Sequence, residues 1–361
     1  MSINELIVYL MVIFMVLGAL DRIFGNRFGL GPQFEEGILA MGSLALAMIG
    51  IISLAPVLAN LLRPVLGPVF RVFGADPAMF AGSLLACDMG GAPLAMELTE
   101  NRDAALFSGI IVGSMLGPTI VFTIPVALGI LKPEDTTYLA KGVLAGIITI
   151  PLGSFVGGLV AGFPVGMVAV NLIPIVIFAL LIVLGLWKFE SAMIKGFSIF
   201  GRIVLAVITI GLAAAIIETL TGLVVIPGMA PIEDGITVVG DIAIVLAGAF
   251  PLVYVITKVF RKPLMKLGSL LGMNDVAAAG LVASLANSIP MFGMVEKMDR
   301  RGKILNIAFA VSASFVFGDH LGFTAGFAPE MLTSMIVGKL VGGVTAIGVA
   351  LFLTKKEAAH G

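Results

Sequence analysis

SLANSIPMFGMVEKMDRRGK, Ser284 to Lys303, is where the path of this chain through its surroundings can be read. A small apolar arm runs into Asn287, Ser288 and Pro290. A methionine-rich arm follows, and Lys297, Arg300, Arg301 and Lys303 close the stretch. Length alone is ambiguous, because 276–296 suits either one crossing of roughly 20 residues or a hairpin that enters and leaves on one face. Charge separates the two. Short loops rich in Lys and Arg stay on the cytoplasmic side. Arg261, Lys262 and Lys266 precede the segment. If it turns back, those three share a side with the four that follow; if it spans, the two groups face opposite sides. The hairpin is the predicted state.

The composition calls for a membrane from the outset. Of 361 residues, 59% are hydrophobic and 12% are charged, against about 25% charged in soluble domains. Apolar runs at 5–23, 37–60, 104–131, 139–162, 165–187, 197–220, 236–259, 304–328 and 332–354 are predicted spans. The connections between them are too short for a soluble catalytic domain. Alternating apolar and polar strands are absent, which argues against an outer-membrane barrel. The first run lacks a basic flank and a small-residue cleavage site, so it reads as a retained helix. One cysteine, Cys87, excludes a disulfide framework and any multi-cysteine metal site. The net charge of −1 suggests no nucleic-acid partner. Abundant Gly and Pro within apolar runs suit close helix packing and broken helices.

The chain also resembles itself. Glu35–Gly37 (EEG) faces Glu233–Gly235 (EDG) at an offset of 198, which also relates Gly42 to Gly240, Arg63 to Arg261 and Lys141 to Lys339. At 199, Asp76 meets Asp275, Asp88 meets Asn287, Glu97 meets Glu296 and Arg102 meets Arg301. The predicted organisation is a first repeat at 1–162 with a hairpin at 77–97, a connector at 163–195, a second repeat at 196–355 with a hairpin at 276–296, and a cytoplasmic tail at 356–361. With both hairpins re-entrant, five spans precede the second half. That number is odd, so the repeats are inverted. The expected fold is an all-α polytopic membrane protein with about nine transmembrane helices, or 10–11 spans if the hairpins cross. Inverted repeats with broken helices characterise secondary transporters, whose substrates bind near the midplane.

Both hairpins combine a Ser-Leu run, a polar residue, a Gly or Pro break and a glutamate exit. Asp88 and Asn287 flank the breaks; each is either a site residue or a cap that satisfies the turn. Asp319 and His320 stand in apolar FVFGDHLGF, at the level where Gly117-Pro118 interrupts the first half. They read as a ligand-binding pair or as a pair that closes a kink, and one histidine without a nearby cysteine makes a poor metal site. Ser83, Ser284 and Thr324 supply hydroxyls nearby. Glu97 and Glu296, at the hairpin exits, suit substrate or helix-end roles equally. Asp76 and Asp275 read as N-caps. Lys141 and Lys339 either snorkel to the interface or pair with a buried carboxylate. This deep polar set is acidic and amide-rich and lacks arginine, which favours a small cation that also carries a hydrogen-bonding group.

CDMGGAPLAMEL at Cys87–Leu98, SLANSIPMF at Ser284–Phe292 and FGDHLGFTAGF at Phe317–Phe327 resemble the EutH-type ethanolamine permeases, with likeness through essentially the whole chain. The resemblance implies an inner-membrane carrier, not an enzyme. It implies delivery of ethanolamine to the cytosolic ethanolamine ammonia-lyase pathway, with no cofactor. Carriers of this kind are often homodimers. Facilitated diffusion is the expected mode, with a Na⁺- or H⁺-coupled symporter of another small metabolite as the alternative. In the expected site, Asp88 and Asp319 hold the ammonium and Asn287 and the hydroxyls hold the alcohol. His320 orients Asp319 or relays a proton.

Overall fold

The computed structural model describes residues 2–354, so the expected tail, with Lys355 and Lys356, lies outside the described residues. The chain is an all-α polytopic membrane protein, and no strand occurs among the described residues. Its helices are α1 (Ile3–Ile23), α2 (Leu30–Val72), α3 (Met79–Leu84), α4 (Gly91–Leu98), α5 (Arg102–Ser114) and α6 (Leu116–Ile130). There follow α7 (Thr136–Val160), α8 (Val165–Lys188), α9 (Glu190–Thr221) and α10 (Ile232–Leu270). The last are α11 (Asp275–Ala286), α12 (Ser288–Met294), α13 (Arg300–Ala313), α14 (Asp319–Phe327) and α15 (Leu332–Thr354). Among the described residues, seven helices are long and apolar enough to cross a membrane, and the bent pair α5–α6 makes an eighth.

Three expectations need correction. The predicted span 304–328 is two helices, α13 and α14, separated by non-helical Ser314–Gly318. Here Phe315 takes a left-handed φ of 64°, a conformation costly for a side chain with a β-carbon. The runs 37–60 and 236–259 extend into helices of 43 and 39 residues. Arg63, Arg71 and Arg261 are therefore helical, not in loops, because the prolines at 56, 64, 68, 251 and 263 are accommodated inside α2 and α10. Finally, the cap expected at Asp275 sits one residue earlier. Asn274 Oδ1 accepts the Ala277 amide at 2.9 Å, because extended backbone at Asn274 aims its side chain at the helix start.

Close approaches between helices recur at the sequence offset. A β-carbon placed on Gly50 would lie 2.0 Å from the Ile208 carbonyl oxygen, and one on Gly248 would lie 2.3 Å from that of Met11. These glycines are 198 positions apart, and the carbonyls they meet are 197 apart. Gly37 presses on Leu246 and Gly235 on Ile49, which runs α2 and α10 antiparallel. Helices α7 and α15 also pack antiparallel. Gly153 meets Gly338, and Thr149 Oγ1 donates to the Gly342 carbonyl at 2.9 Å. Small residues allow such contact where apolar surroundings give no hydrophobic drive between helices.

The two short-helix pairs are hairpins whose ends meet. Thr99 donates to Asp76 at 2.7 Å, tying the exit of α4 to the entrance of α3. The Asn274 amide donates to Asp299 at 2.8 Å, and the Asn274 side chain donates to the Lys297 carbonyl at 3.0 Å. The following helix pins each entrance. Ser108 Oγ donates to the Ala78 carbonyl at 2.6 Å, and Asn306 Nδ2 donates to that of Ala277 at 2.9 Å. Each tip then meets a helix break. A β-carbon on Gly117 would lie 1.9 Å from the Leu85 carbonyl oxygen, and one on Gly318 2.0 Å from that of Ala286. Around the first break the helix also widens into π turns at Phe107–Ile111 and Thr119–Thr123, features common at functional sites.

Loop charges sort to the two ends of the bundle. Lys132 pairs with Glu296 and Lys303 with Asp135, joining the 131–135 loop to the end of the second hairpin. At the other end Arg102 pairs with Glu330 at 2.7 Å, and Arg63 donates to the Glu97 carbonyl.

Candidate functional site

Asp88 owes its position to the first hairpin's tip. Leu85 and Ala86 are extended, Cys87–Met89 form one 3-10 turn, and Gly90 closes it at a φ of 95°. No β-carbon fits on Gly90, since it would lie 2.2 Å from the Ile51 side chain. This turn pushes the Asp88 carboxylate into a cavity of about 240 Å³. Asp319 and His320, at the start of α14, enter from the second break, and Ala40, Ser43, Leu44 and Ala47 of α2 form another wall. Phe122 and Phe315 close it, their rings edge-to-face at 5.6 Å. Phe315 also lies 5.2 Å from the His320 ring, so its strained backbone places an aromatic against the site.

His320 is 2% exposed and sits between two charged groups. Its Nε2 is 3.8 Å from Asp88 Oδ1, just beyond hydrogen-bond reach, and its Nδ1 is 3.0 Å from Lys339 Nζ. Lys339 is 1% exposed and also donates to the Ser114 carbonyl, beside the first break. An ammonium has donors only, so Nδ1 must accept and the ring N–H must be on Nε2, facing Asp88. The expected pairing with Asp319 is replaced by Asp88 and Lys339. Successive side chains on a helix point in different directions, so Asp319 and His320 cannot both face one partner.

Asp319 makes no hydrogen bond or ion pair with another described residue. It also lines a second cavity of about 230 Å³, with Gln33, Glu36, Tyr254, Thr257 and Asn287. Asp319 is thus common to both. Asn287 belongs to the second cavity only, and its Oδ1 accepts the Ile289 amide at 2.8 Å, capping α12. The structure therefore joins Asp88, Asp319 and His320 and separates Asn287 from Asp88.

The remaining predicted residues stand apart. Ser83 and Ser284 donate to the carbonyls one turn back, of Met79 and Gly280. Thr324 Oγ1 is buried without a partner and lines neither cavity. Glu97 and Glu296 are exposed at the hairpin exits. Sequence reasoning missed Lys339, Phe122, Phe315 and Glu36 as site residues. For Lys339 a signal was present: Gly342 and Gly343 follow at three and four residues, the spacing of one helix face. Glycine marks that face as packed, which excludes snorkelling.

Cys87 is close after all. Its sulfur, the Asp88 carboxylate and a His320 nitrogen lie within 4.8 Å of one another, which removes one reason for discounting a metal. The donor set still does not fit one. Lys339 places an ammonium 3.0 Å from the same imidazole, and like charges in this buried setting repel strongly.

The chain matches the family described as "Ethanolamine utilisation protein, EutH" over residues 3–353. It is 67% identical over 356 residues to the "Probable ethanolamine permease EutH" of Listeria monocytogenes serotype 1/2a (strain 10403S), covering 99% of this chain and 95% of that protein. It is 53% identical over 395 residues to the protein of the same name from Escherichia coli (strain K12), covering 99% and 97%. The "Uncharacterized protein YxeR" of Bacillus subtilis (strain 168) is 51% identical over 359 residues, covering 99% and 97%. No solved structure matches the chain. A match along nearly its whole length, with relatives named as permeases, agrees with a helical membrane bundle built around a small acidic cavity: the chain belongs to the EutH family of ethanolamine utilisation proteins.

Proposed function

We propose that this protein carries ethanolamine into the cytoplasm across the bacterial inner membrane. The observation that carries the reading is a pair of carboxylates, Asp88 and unpartnered Asp319, on one small cavity. An isolated carboxylate in apolar surroundings is costly, and an ammonium removes the cost by pairing with it. No arginine or lysine lines the cavity, so it suits a cation over an anion. Ser43 and the aromatic faces of Phe122 and Phe315 suit a short hydroxylated chain.

The two halves act as inverted repeats. In this reading both hairpins are re-entrant, and alternating access opens the cavity to each side in turn. The second cavity lies between the start of α2 and the part of α10 that leads to Arg261 and Lys262. Those charges mark the cytoplasmic end by the positive-inside rule. Asp319, common to both cavities, passes the substrate inward. Facilitated diffusion suffices, because the cytosolic ethanolamine ammonia-lyase pathway consumes what enters.

Uptake of labelled ethanolamine into proteoliposomes at slightly acidic pH tests this, since there the lipid-permeable neutral amine is scarce. Asp88→Asn and Asp319→Asn should each lower saturable uptake roughly a hundredfold at unchanged protein level. Full uptake in both variants overturns the site. A cysteine replacing Lys297 should react only with cytoplasmic reagent; labelling from outside overturns the re-entrant arrangement.

A further inference from the structure

Lys339 is a buried cation with no carboxylate at ion-pair distance among the described residues. Its partners are a carbonyl, Ser114 O, and a ring nitrogen, His320 Nδ1. Neither compensates a full charge. The nearest compensation lies across the imidazole, at Asp88, 3.8 Å from Nε2. Lysine, imidazole and carboxylate thus form a line: Lys339 donates to Nδ1 at 3.0 Å, and the Nε2 N–H faces Asp88 across 3.8 Å, a gap that a small rotation of the Asp88 side chain closes. Helix α15 packs on α7 and α13 through Gly338, Gly342, Thr149 and Ser312, none of them charged. The titratable groups around the line are Cys87 and Asp88 from the hairpin tip and Asp319 beside the histidine.

We infer that Lys339, His320 and Asp88 form a proton relay that makes uptake an electroneutral exchange of one substrate ammonium for one proton. This rests on the carrier reading above. At rest the line holds one positive lysine and one negative aspartate and is neutral overall. A substrate ammonium at Asp88 would add a second cation near the first. The relay prevents this. Lys339 passes a proton to Nδ1 as the Nε2 proton moves to Asp88, leaving lysine and histidine neutral and the carboxyl protonated. That carboxyl loses its proton to cavity water on the side of entry, and the carboxylate then binds the ammonium. After substrate leaves on the far side, Asp88 takes a proton there and the relay returns it to Lys339. One ammonium has gone in and one proton out. This equals net movement of neutral amine, so it agrees with facilitated diffusion.

The test uses proteoliposomes with labelled ethanolamine at slightly acidic pH, a lumenal pH dye, and a potassium–valinomycin potential, with protein-free liposomes subtracted. Uptake by the unaltered protein should alkalinise the lumen and ignore an inside-negative potential. Uptake that rises with that potential and leaves lumenal pH unchanged overturns the relay while leaving the carrier reading intact. Absence of any saturable uptake instead overturns the carrier reading, and the relay with it. Lys339→Met should remove the proton movement and make uptake respond to the potential; uptake still electroneutral in this variant excludes Lys339. His320→Gln keeps a partner for Lys339 but passes no proton. The lysine charge then stays, and its repulsion should cut uptake about tenfold or more. Undiminished, proton-coupled uptake in His320→Gln overturns the relay as well.

Discussion

In the first half the break glycine, Gly117, precedes Pro118; in the second, Gly318 precedes Asp319 and His320. Both glycines press on a hairpin-tip carbonyl, and both hairpins are pinned at their entrances by the helix that follows. The polar furnishing differs. The first tip offers a carboxylate, Asp88, to the cavity, whereas the second offers Asn287, turned back to cap its own helix. The second helix break, not the second tip, supplies that half's charge. The repeated lysines diverge similarly: Lys339 is buried against His320, whereas Lys141 is only half-buried. Symmetry holds in the backbone contacts that make a frame and lapses in the polar groups that line the cavities.

The comparison can be broken at several points. The largest effect is expected at the break glycines. Gly117→Val and Gly318→Val should each cost more than about 3 kcal/mol, since the new side chain meets backbone that cannot yield. Thermal unfolding in detergent measures this, and tolerance at only one break would show that the tips are seated differently. Next come the tips. Asp88→Asn should lower uptake roughly a hundredfold, about 2–3 kcal/mol for a charged hydrogen bond. Asn287→Ala should leave substrate affinity nearly intact and cost about 1 kcal/mol of stability as a lost cap. Equal losses of uptake would restore the symmetry denied here. Ser108→Ala and Asn306→Ala should each cost about 1 kcal/mol, one net hydrogen bond. Matched melting shifts would support equivalent pins. Least of all, Lys132→Gln or Glu296→Gln should leave melting unchanged, because exposed ion pairs add little.

Much of this frame was legible before any coordinates. Composition alone places the chain in a bilayer. The offset of 198 that relates Glu35–Gly37 to Glu233–Gly235 also relates Gly50 to Gly248, each at a backbone crossing. Loop charge favours hairpin over span in the sequence; in the structure Lys132 pairs with Glu296 and Lys303 with Asp135. The site was less legible for a physical reason. Adjacency along a helix separates side chains, so Asp319 and His320 look like a pair in sequence and face different partners in space. The role of Asn287 depends on extended backbone at one residue, which no spacing reveals. Lys339 lies 225 residues from the carbonyl it contacts, and only packing brings them together.

The pins also carry a consequence for how the protein is made. Helix α3 has six residues and α4 eight, about 9 and 12 Å, against roughly 30 Å of hydrocarbon. Neither can rest across a bilayer alone. The donors that seat the hairpins, Ser108 and Asn306, lie 30 and 29 residues after the carbonyls they hold. Each hairpin therefore leaves the ribosome before its latch does. A nascent chain ending near residue 100 has its first tip unheld. The contacts that seat each hairpin thus become available only once a later helix has been made.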